Sequence, residues 1–329
     1  MYLITGGAGF IGSNIAEALD ASGDDVVIVD WLRDDPFKWR NIAKRRLADL
    51  VAPEDLPAFL DANRSKIEGI VHMGAISSTT ETDVDAIARN NFRLSVDLWR
   101  FCAAAGLPLV YASSAATYGD GAQGFLDRFD EAYLAALRPL NPYGWSKHVF
   151  DRFALGSVKG REKAPPRWAG LKFFNVYGPN EYHKGGQRSV AAQLYDQIRE
   201  QGSARLFRSD NPDYADGEQL RDFVWVGDCV EVVLWALKNP QAPSNLYNVG
   251  SGLARSFHDK AKIMFAALGQ NANVEFINLP ENLRGKYQYY TCASLEKLRA
   301  AGFQRPMTTL ERGLQLYVRD YLASDDPFR

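Results

Sequence analysis

The segment Tyr2-Leu-Ile-Thr-Gly6-Gly-Ala-Gly9-Phe-Ile-Gly12 constrains the fold more than any other stretch of the chain. A short strand-like run enters a G-x-x-G-x-x-G turn, and residues 11–21 then take up helical spacing. Glycines without a Cβ let backbone approach a pyrophosphate, and a helix N-terminus offers free N–H groups and a positive dipole end. Glycine triplets also serve tight strand-helix turns that bind nothing. Here the setting points to a nucleotide, because a second apolar run, Val26-Val-Ile-Val29, ends in Asp30. Asp30 reads as the acceptor for a ribose hydroxyl, or else as a surface loop carboxylate.

The alternation continues. Apolar runs at 67–72 and 107–112 read as strands, and helical spacing fills 41–50, 53–63 and 83–105. Strands alternating with helices imply an α/β fold: a doubly wound parallel Rossmann sheet with right-handed crossovers. The basic, Pro-containing stretch 156–168 reads as an exposed loop, 170–175 as a fifth strand and 187–201 as a helix. The stretch 210–219 is acidic, turn-rich and expected to be mobile. The expectation is a nucleotide-binding domain over 1–170, with contributions from 171–195 and 223–250. A smaller, mainly substrate-binding α/β region then occupies 171–329.

Several function classes drop out. A net charge of -2 gives no reason to expect nucleic acid or an anionic membrane as partner. No apolar run approaches the ~18 residues of a membrane span. The N-terminus lacks the basic region and cleavage site of a signal peptide. Cys102, Cys229 and Cys292 lie far apart in apolar settings, as expected of buried free thiols in a reducing cytoplasm. His72, His148, His183 and His258 are scattered, so no metal site is expected.

Tyr143-Gly-Trp-Ser-Lys147 follows about 130 residues after the glycine turn. At a spacing of four, Tyr143 and Lys147 share one helix face. A free phenol has a pKa of about 10, too high for a base at neutral pH, and a nearby ammonium is expected to lower it. Lys147 also suits a bond to a cofactor ribose. Ser114 closes Leu109-Val-Tyr-Ala-Ser-Ser114 at a strand's C-terminal end, where open parallel sheets place ligands, and would orient a substrate oxygen. A lone Y-x-x-x-K is common by chance. With the glycine turn and Ser114 it indicates redox chemistry at a hydroxyl. Asp30 suits the free 2′-hydroxyl of NAD and repels a 2′-phosphate. The cations that follow, Arg33, Lys38, Arg40, Lys44, Arg45 and Arg46, suit neutralising that phosphate, or form the solvated basic face of a helix. These residues leave NAD and NADP both open.

Together the motifs resemble the extended short-chain dehydrogenase/reductase superfamily over nearly the whole chain. They are Gly6 to Gly12, Ser113-Ser114, Tyr143 to Lys147, Asn175-Val-Tyr-Gly-Pro179 and Arg221-Asp-Phe-Val-Trp-Val-Gly-Asp228. Finer segments are similar to the ADP-L-glycero-D-manno-heptose 6-epimerase family: His72-Met-Gly-Ala-Ile-Ser-Ser-Thr-Thr-Glu81, Tyr111 to Gly119, His183-Lys184-Gly185 and Arg284-Gly-Lys-Tyr-Gln288. This resemblance implies an NADP-dependent epimerase of lipopolysaccharide precursor synthesis acting on ADP-heptose. It also implies a cytoplasmic homo-oligomer, with a pentameric ring as one form.

In that family, Tyr143 and Lys184 would be two acid/base groups on opposite faces of a transient 6-ketone, with Ser114 and Lys147 beside the first. Cofactor contacts would come from Gly6, Gly9, Phe10, Ile11, Gly12, Asp30, Trp31, Lys38, Met73, Gly74, Ala75, Ile76, Ser77, Asn90, Tyr143, Lys147 and Val176. Substrate contacts would come from Ser114, Asn175, Gly186, Gln193, Phe207, Arg208, Ser209, Arg221 and Tyr287. Without the resemblance, Lys184 reads as an exposed loop lysine and Arg221 as a surface ion pair with Asp222. The chain departs from the family at Trp31 (Asn), Met73 (Glu), Gly186 (Ser) and Gln193 (His), and its loops at 120–138, 156–168 and 210–219 are longer. A UDP-sugar 4-epimerase would use the same central residues. A 4,6-dehydratase would need Asp-Glu after the active-site Ser, where this chain has Ala115-Ala116. A non-enzymatic NADP-sensing protein would be expected to lose Tyr143 or Lys147.

Overall fold

The computed structural model describes residues 1–33, 35–281 and 288–329. Strands β1 (Tyr2–Thr5), β2 (Val26–Val29), β3 (Asp49–Val51), β4 (Gly69–His72), β5 (Leu109–Ser114) and β6 (Trp168–Phe173) come first along the chain. Strands β7 (Asn175–Tyr177), β8 (Ala204–Phe207), β9 (Leu220–Trp225), β10 (Asn245–Val249), β11 (Ala254–Ser256) and β12 (Val274–Ile277) follow. Seven of them form one parallel sheet in the order β10-β6-β5-β4-β1-β2-β3. The winding reverses between β1 and β4, so a crevice opens beyond their C-terminal ends. Thr5 lies level with Val29 and with His72, and Ser114 with Phe173. The next residues along the chain, Gly6, Asp30, Met73 and Phe174, therefore gather on one rim.

The central strands are buried throughout instead of alternating, as in Val26–Val29 and Gly69–His72. That is the pattern of a parallel sheet covered by helices on both faces. On one face the Phe10–Ala21 helix buries Ile15, Ala16 and Leu19 next to the Val226–Lys238 helix. On the other, Trp99, Tyr111, Phe150 and Trp168 interlock, with Tyr111 and Phe150 rings 4.7 Å apart and Trp99 and Trp168 rings 5.3 Å apart. The remaining strands make two small sheets, β11-β9-β7 and β12-β8. The Val190–Gln201 and Phe257–Ala267 helices pack on these.

Three local expectations need correction. No helix forms over 41–50: a 3-10 turn at Lys38–Asn41 leads to β3, whose Leu50 aligns with Ile28 and whose Val51 is buried. Pairing with the sheet edge outweighs the weak helical spacing there. The loop expected at 156–168 is shorter, because the Pro142–Val158 helix runs through buried Gly156 and Ser157, and Trp168 opens β6 among aromatic rings. Cys102 and Cys229 are buried free thiols, but Cys292 is only partly buried. Within 210–219 no regular element forms, yet Asp216 binds Arg208 and the Ser209 N–H, and Gln219 is buried.

Candidate active site

The glycine turn closes on backbone. Gly6 sits at φ +66°, and a Cβ on Gly12 would lie 2.2 Å from the Gly6 carbonyl oxygen. No side chain caps the helix that starts at Phe10, so its first N–H groups face the crevice. Thr5 Oγ1 accepts from the Gly74 N–H at 3.2 Å and meets His72 Nδ1 at 2.6 Å, which ties the turn to the end of β4. Burial, then the Lys147 charge, pushes His72 down to about 3, so the imidazole stays neutral. This cradle fits the pyrophosphate of a dinucleotide. Gly12→Ala is expected to weaken binding of the reduced nicotinamide dinucleotide about tenfold or more, roughly 1.4 kcal/mol. Fluorescence titration on a variant with unchanged circular dichroism checks this, and binding within twofold of the parent would refute it.

A cleft of about 920 Å³ extends from the turn. Every residue named above as a cofactor contact lines it, from Gly6, Gly9, Phe10, Ile11 and Gly12 through Met73 to Ser77, Asn90 and Val176. Asp30 accepts from Lys38 Nζ (2.7 Å) and from the Ala8 N–H (3.0 Å), so a cation already neutralises it. Trp31 donates to Glu54 and lies under the Arg33 guanidinium at 4.8 Å. The basic cluster divides. Arg33 and Lys38 line the cleft, whereas Arg40 stacks on Phe328, Lys44 pairs with Asp326, and Arg45 and Arg46 pair with Asp20. Those four cations have partners on a surface that is not α-helical, and Lys44 and Arg46 remain exposed there.

Tyr143 and Lys147 stand in the first turns of the Pro142–Val158 helix. The Asn141 side chain caps it by accepting from the Gly144 N–H at 2.8 Å, and Pro142 occupies its first position. A Cβ on Gly144 would come within 2.7 Å of the Ala116 carbonyl oxygen, so glycine lets the helix approach the turn after Ser114. Tyr143 departs from the expected lowering. Burial lifts its phenol above the ordinary value, and a hydrogen bond with Ser114 opposes the lift. Away from water the uncharged phenol is favoured. Lys147 is itself pushed down to about 8 by burial, against the pull of Asp151. Beneath Ser114, Asp151 and Lys172 form a wholly buried pair at 2.6 Å. Ser113 and Tyr111 donate to Asp151, and Lys172 also donates to Thr117.

Lys184 is placed by an anchored turn, not a free loop. Asn180, at φ +72°, donates to Ser13 Oγ (3.0 Å), and Asn14 donates to the Pro179 carbonyl (3.0 Å). The last residues strap this turn down: the Arg329 N–H donates to Asn180, Tyr182 donates to the Pro327 carbonyl, and the Tyr182 and Phe328 rings meet at 5.2 Å. Lys184 lines the cleft with its Nζ 5.4 Å from the Phe10 ring centroid. Burial lowers its pKa, opposed by Glu181.

Ser114, Tyr143, Lys147, Lys184 and Asn175 thus share one cavity. Among the described residues, the other candidate substrate contacts do not line it. Gln193 donates to the Arg188 and Gly186 carbonyls of its own segment. Phe207, Arg208 and Ser209 follow from β8, where Arg208 pairs with Asp216. Arg221 is buried with its guanidinium 5.6 Å from the Phe257 ring centroid. Its neighbour Asp222 accepts instead from Ser251, Gly252 and Ala293, so the surface ion pair between the two gives way to strand alternation. Tyr287 lies outside the described residues. Sequence reasoning missed Asn91, which brackets Ile76 through both backbone groups and donates to Ser146 of the Pro142–Val158 helix. It also missed Phe174, Phe223, Phe257 and Lys260 in the cleft wall. Phe223 falls within the Arg221 to Asp228 motif, and no motif marks the others. Among the described residues no group of three or more His, Cys, Asp or Glu is arranged to hold a metal. No helix there is long and apolar enough to cross a membrane.

Residues 2–250 match the family model described as NAD dependent epimerase/dehydratase family. The chain is 48% identical to ADP-L-glycero-D-manno-heptose-6-epimerase of Nitratidesulfovibrio vulgaris, with 100% of each chain covered. The crystal structure of Helicobacter pylori ADP-L-glycero-D-manno-heptose-6-epimerase superposes with a TM-score of 0.79 at 28% identity, covering 97% of this chain and 95% of that one. Thermus thermophilus UDP-glucose 4-epimerase in complex with NAD gives 0.70 at 26% identity, with 96% of each chain covered.

Proposed function

The chain belongs to the ADP-L-glycero-D-manno-heptose-6-epimerase family, within the NAD dependent epimerases and dehydratases, and from that premise we propose its reaction. It is an isomerase that inverts C6 of ADP-D-glycero-D-manno-heptose to give the L-glycero epimer, a precursor of the lipopolysaccharide core. The observation that carries this reading is the single cleft containing the glycine turn, Ser114, Tyr143, Lys147 and Lys184. C6 bears an unactivated secondary alcohol, so its C–H is not acidic enough for direct deprotonation. Inversion takes oxidation to the 6-ketone and reduction from the opposite face. A nicotinamide dinucleotide on the glycine turn supplies hydride acceptance and return.

The chain's own groups then move the hydroxyl proton. Burial raises the Tyr143 phenol and lowers the Lys184 ammonium, so the cavity holds two groups that can each give or take the hydroxyl proton. Ser114 orients the oxygen, Lys147 holds the ribose, and exposed Asn175 offers its amide to the sugar. We assign NADP as the dinucleotide. Lys38 pairs with Asp30 and Arg33 lies over Trp31, so two cations stand where a 2′-phosphate would bind, with Asp35 on the same wall. The buried thiols of Cys102 and Cys229 suit the reducing cytoplasm in which we place the enzyme.

Purified protein with NADP⁺ is expected to interconvert the two ADP-heptose epimers without added reductant, as followed by chromatography that resolves them. Turnover of UDP-glucose to UDP-galactose with the heptose untouched would overturn the assignment in favour of a UDP-sugar 4-epimerase.

A further inference from the structure

Lys260 has no role in the chemistry above, yet its setting calls for a ligand. It lies in the Phe257–Ala267 helix, is 1 % exposed, and lines the active-site cleft. Its Nζ is 3.6 Å from the Phe223 ring centroid and 5.0 Å from that of Tyr177. No hydrogen bond or ion pair to this ammonium is found among the described residues. Glu181 is the carboxylate that acts on it through space, and that carboxylate is occupied by the Ser189 hydroxyl, the Ser189 N–H and the Tyr317 hydroxyl. Burial pushes Lys260 down to about 7. An ammonium with three donors and no acceptor is costly to bury, and an apolar side chain would fill the same position without that cost.

The wall around Lys260 indicates what would satisfy it. The Phe223 and Phe257 rings meet edge to face at 5.5 Å, and the Arg221 guanidinium lies 5.6 Å from the Phe257 centroid. Two cations therefore flank one aromatic pair, Lys260 against Phe223 and Arg221 against Phe257. A sugar hydroxyl can be met by neutral donors. A phosphate oxygen supplies the negative charge that keeps a buried ammonium protonated, and its hydrogen bonds are strengthened by that charge. We infer that Lys260 is a substrate-binding residue that donates to the diphosphate joining the adenosine and the heptose of the nucleotide sugar. The inference rests on the proposed function.

The test is calorimetric titration of the NADP-loaded enzyme with ADP and, separately, with adenosine. Lys260→Met is expected to weaken ADP binding about tenfold or more and to leave adenosine within about twofold of the parent. Lys260→Gln, which keeps a donor but no charge, is expected to fall between the two and carries the comparison if the Met variant does not fold. Unchanged ADP affinity, or equal weakening of ADP and adenosine, would overturn the inference and leave Lys260 as a structural counter-charge to Glu181. Epimerisation by the parent is scored in parallel. A parent that turns over ADP-heptose while both variants keep full ADP affinity refutes the Lys260 assignment alone. A parent that binds no ADP refutes the functional reading beneath it.

Discussion

Tyr143→Phe is expected to slow ADP-heptose epimerisation about 100- to 10,000-fold while NADPH still binds, the range typical of losing one positioned acid/base group. The ring keeps its place, because Asn141 caps the helix and Gly144 seats it against Ala116. What disappears is a proton on the cleft side, beside Ser114. Lys184→Met is expected to damage the reaction comparably, but from the opposite face. Rapid-mixing measurement of NADPH formation from each epimer separates the two variants. The epimer whose oxidation stalls in Tyr143→Phe should still be oxidised in Lys184→Met, and the reverse. If both variants block the first step equally with both epimers, the two-group reading fails.

Lys172→Met is expected to destabilise the fold by roughly 3–5 kcal/mol, the usual consequence of leaving one charge of a buried pair uncompensated. Both side chains of the pair are fully buried at 2.6 Å. Without Lys172, Asp151 keeps the hydroxyls of Ser113 and Tyr111 but loses its hydrogen-bonded counter-charge, with Lys147 acting only through space. Replacing both partners, as Lys172→Met with Asp151→Leu, is expected to recover much of the loss, because no orphan charge remains. Urea denaturation midpoints decide the matter. A single variant as stable as the parent would contradict it. Loss of the pair should also be felt at Ser114, since Lys172 holds Thr117 in the turn that follows that serine.

Local spacing made part of this site legible. The glycine turn and the Tyr143–Lys147 pair are defined by contacts only a few residues apart, which sequence reports directly. The cleft lining around Met73 to Ser77 followed from a family resemblance carried by consecutive residues. The Asp151–Lys172 pair was not legible, because its partners lie on a helix and on β6, and meet only where β6 docks beside β5. Lys260 was not legible either, because it lies on the Phe257–Ala267 helix and meets Phe223 of β9 only in the assembled fold. Tyr143 lines the cleft, but its pKa direction is not legible in the sequence: the neighbouring cation is visible there, whereas the loss of water is a property of the assembled cleft. The 41–50 segment was misread because an edge strand of three residues leaves too short a pattern to outvote helical spacing.

The strap formed by Pro327 to Arg329 has a consequence for the order of assembly. Tyr182 precedes its partner Pro327 by 145 residues, and Asn180 precedes Arg329 by 149. A ribosome that has delivered the glycine turn, Tyr143 and Lys184 has delivered the Ser13 and Asn14 ties to the Lys184 turn, but not yet the strap over it. The nucleotide half can fold early, since its sheet and first helix come largely from the leading part of the chain. Lys184, the proposed second acid/base group, gains the last of its ties only once Arg329 has been made, so a nascent chain is expected to hold dinucleotide before it can invert a sugar.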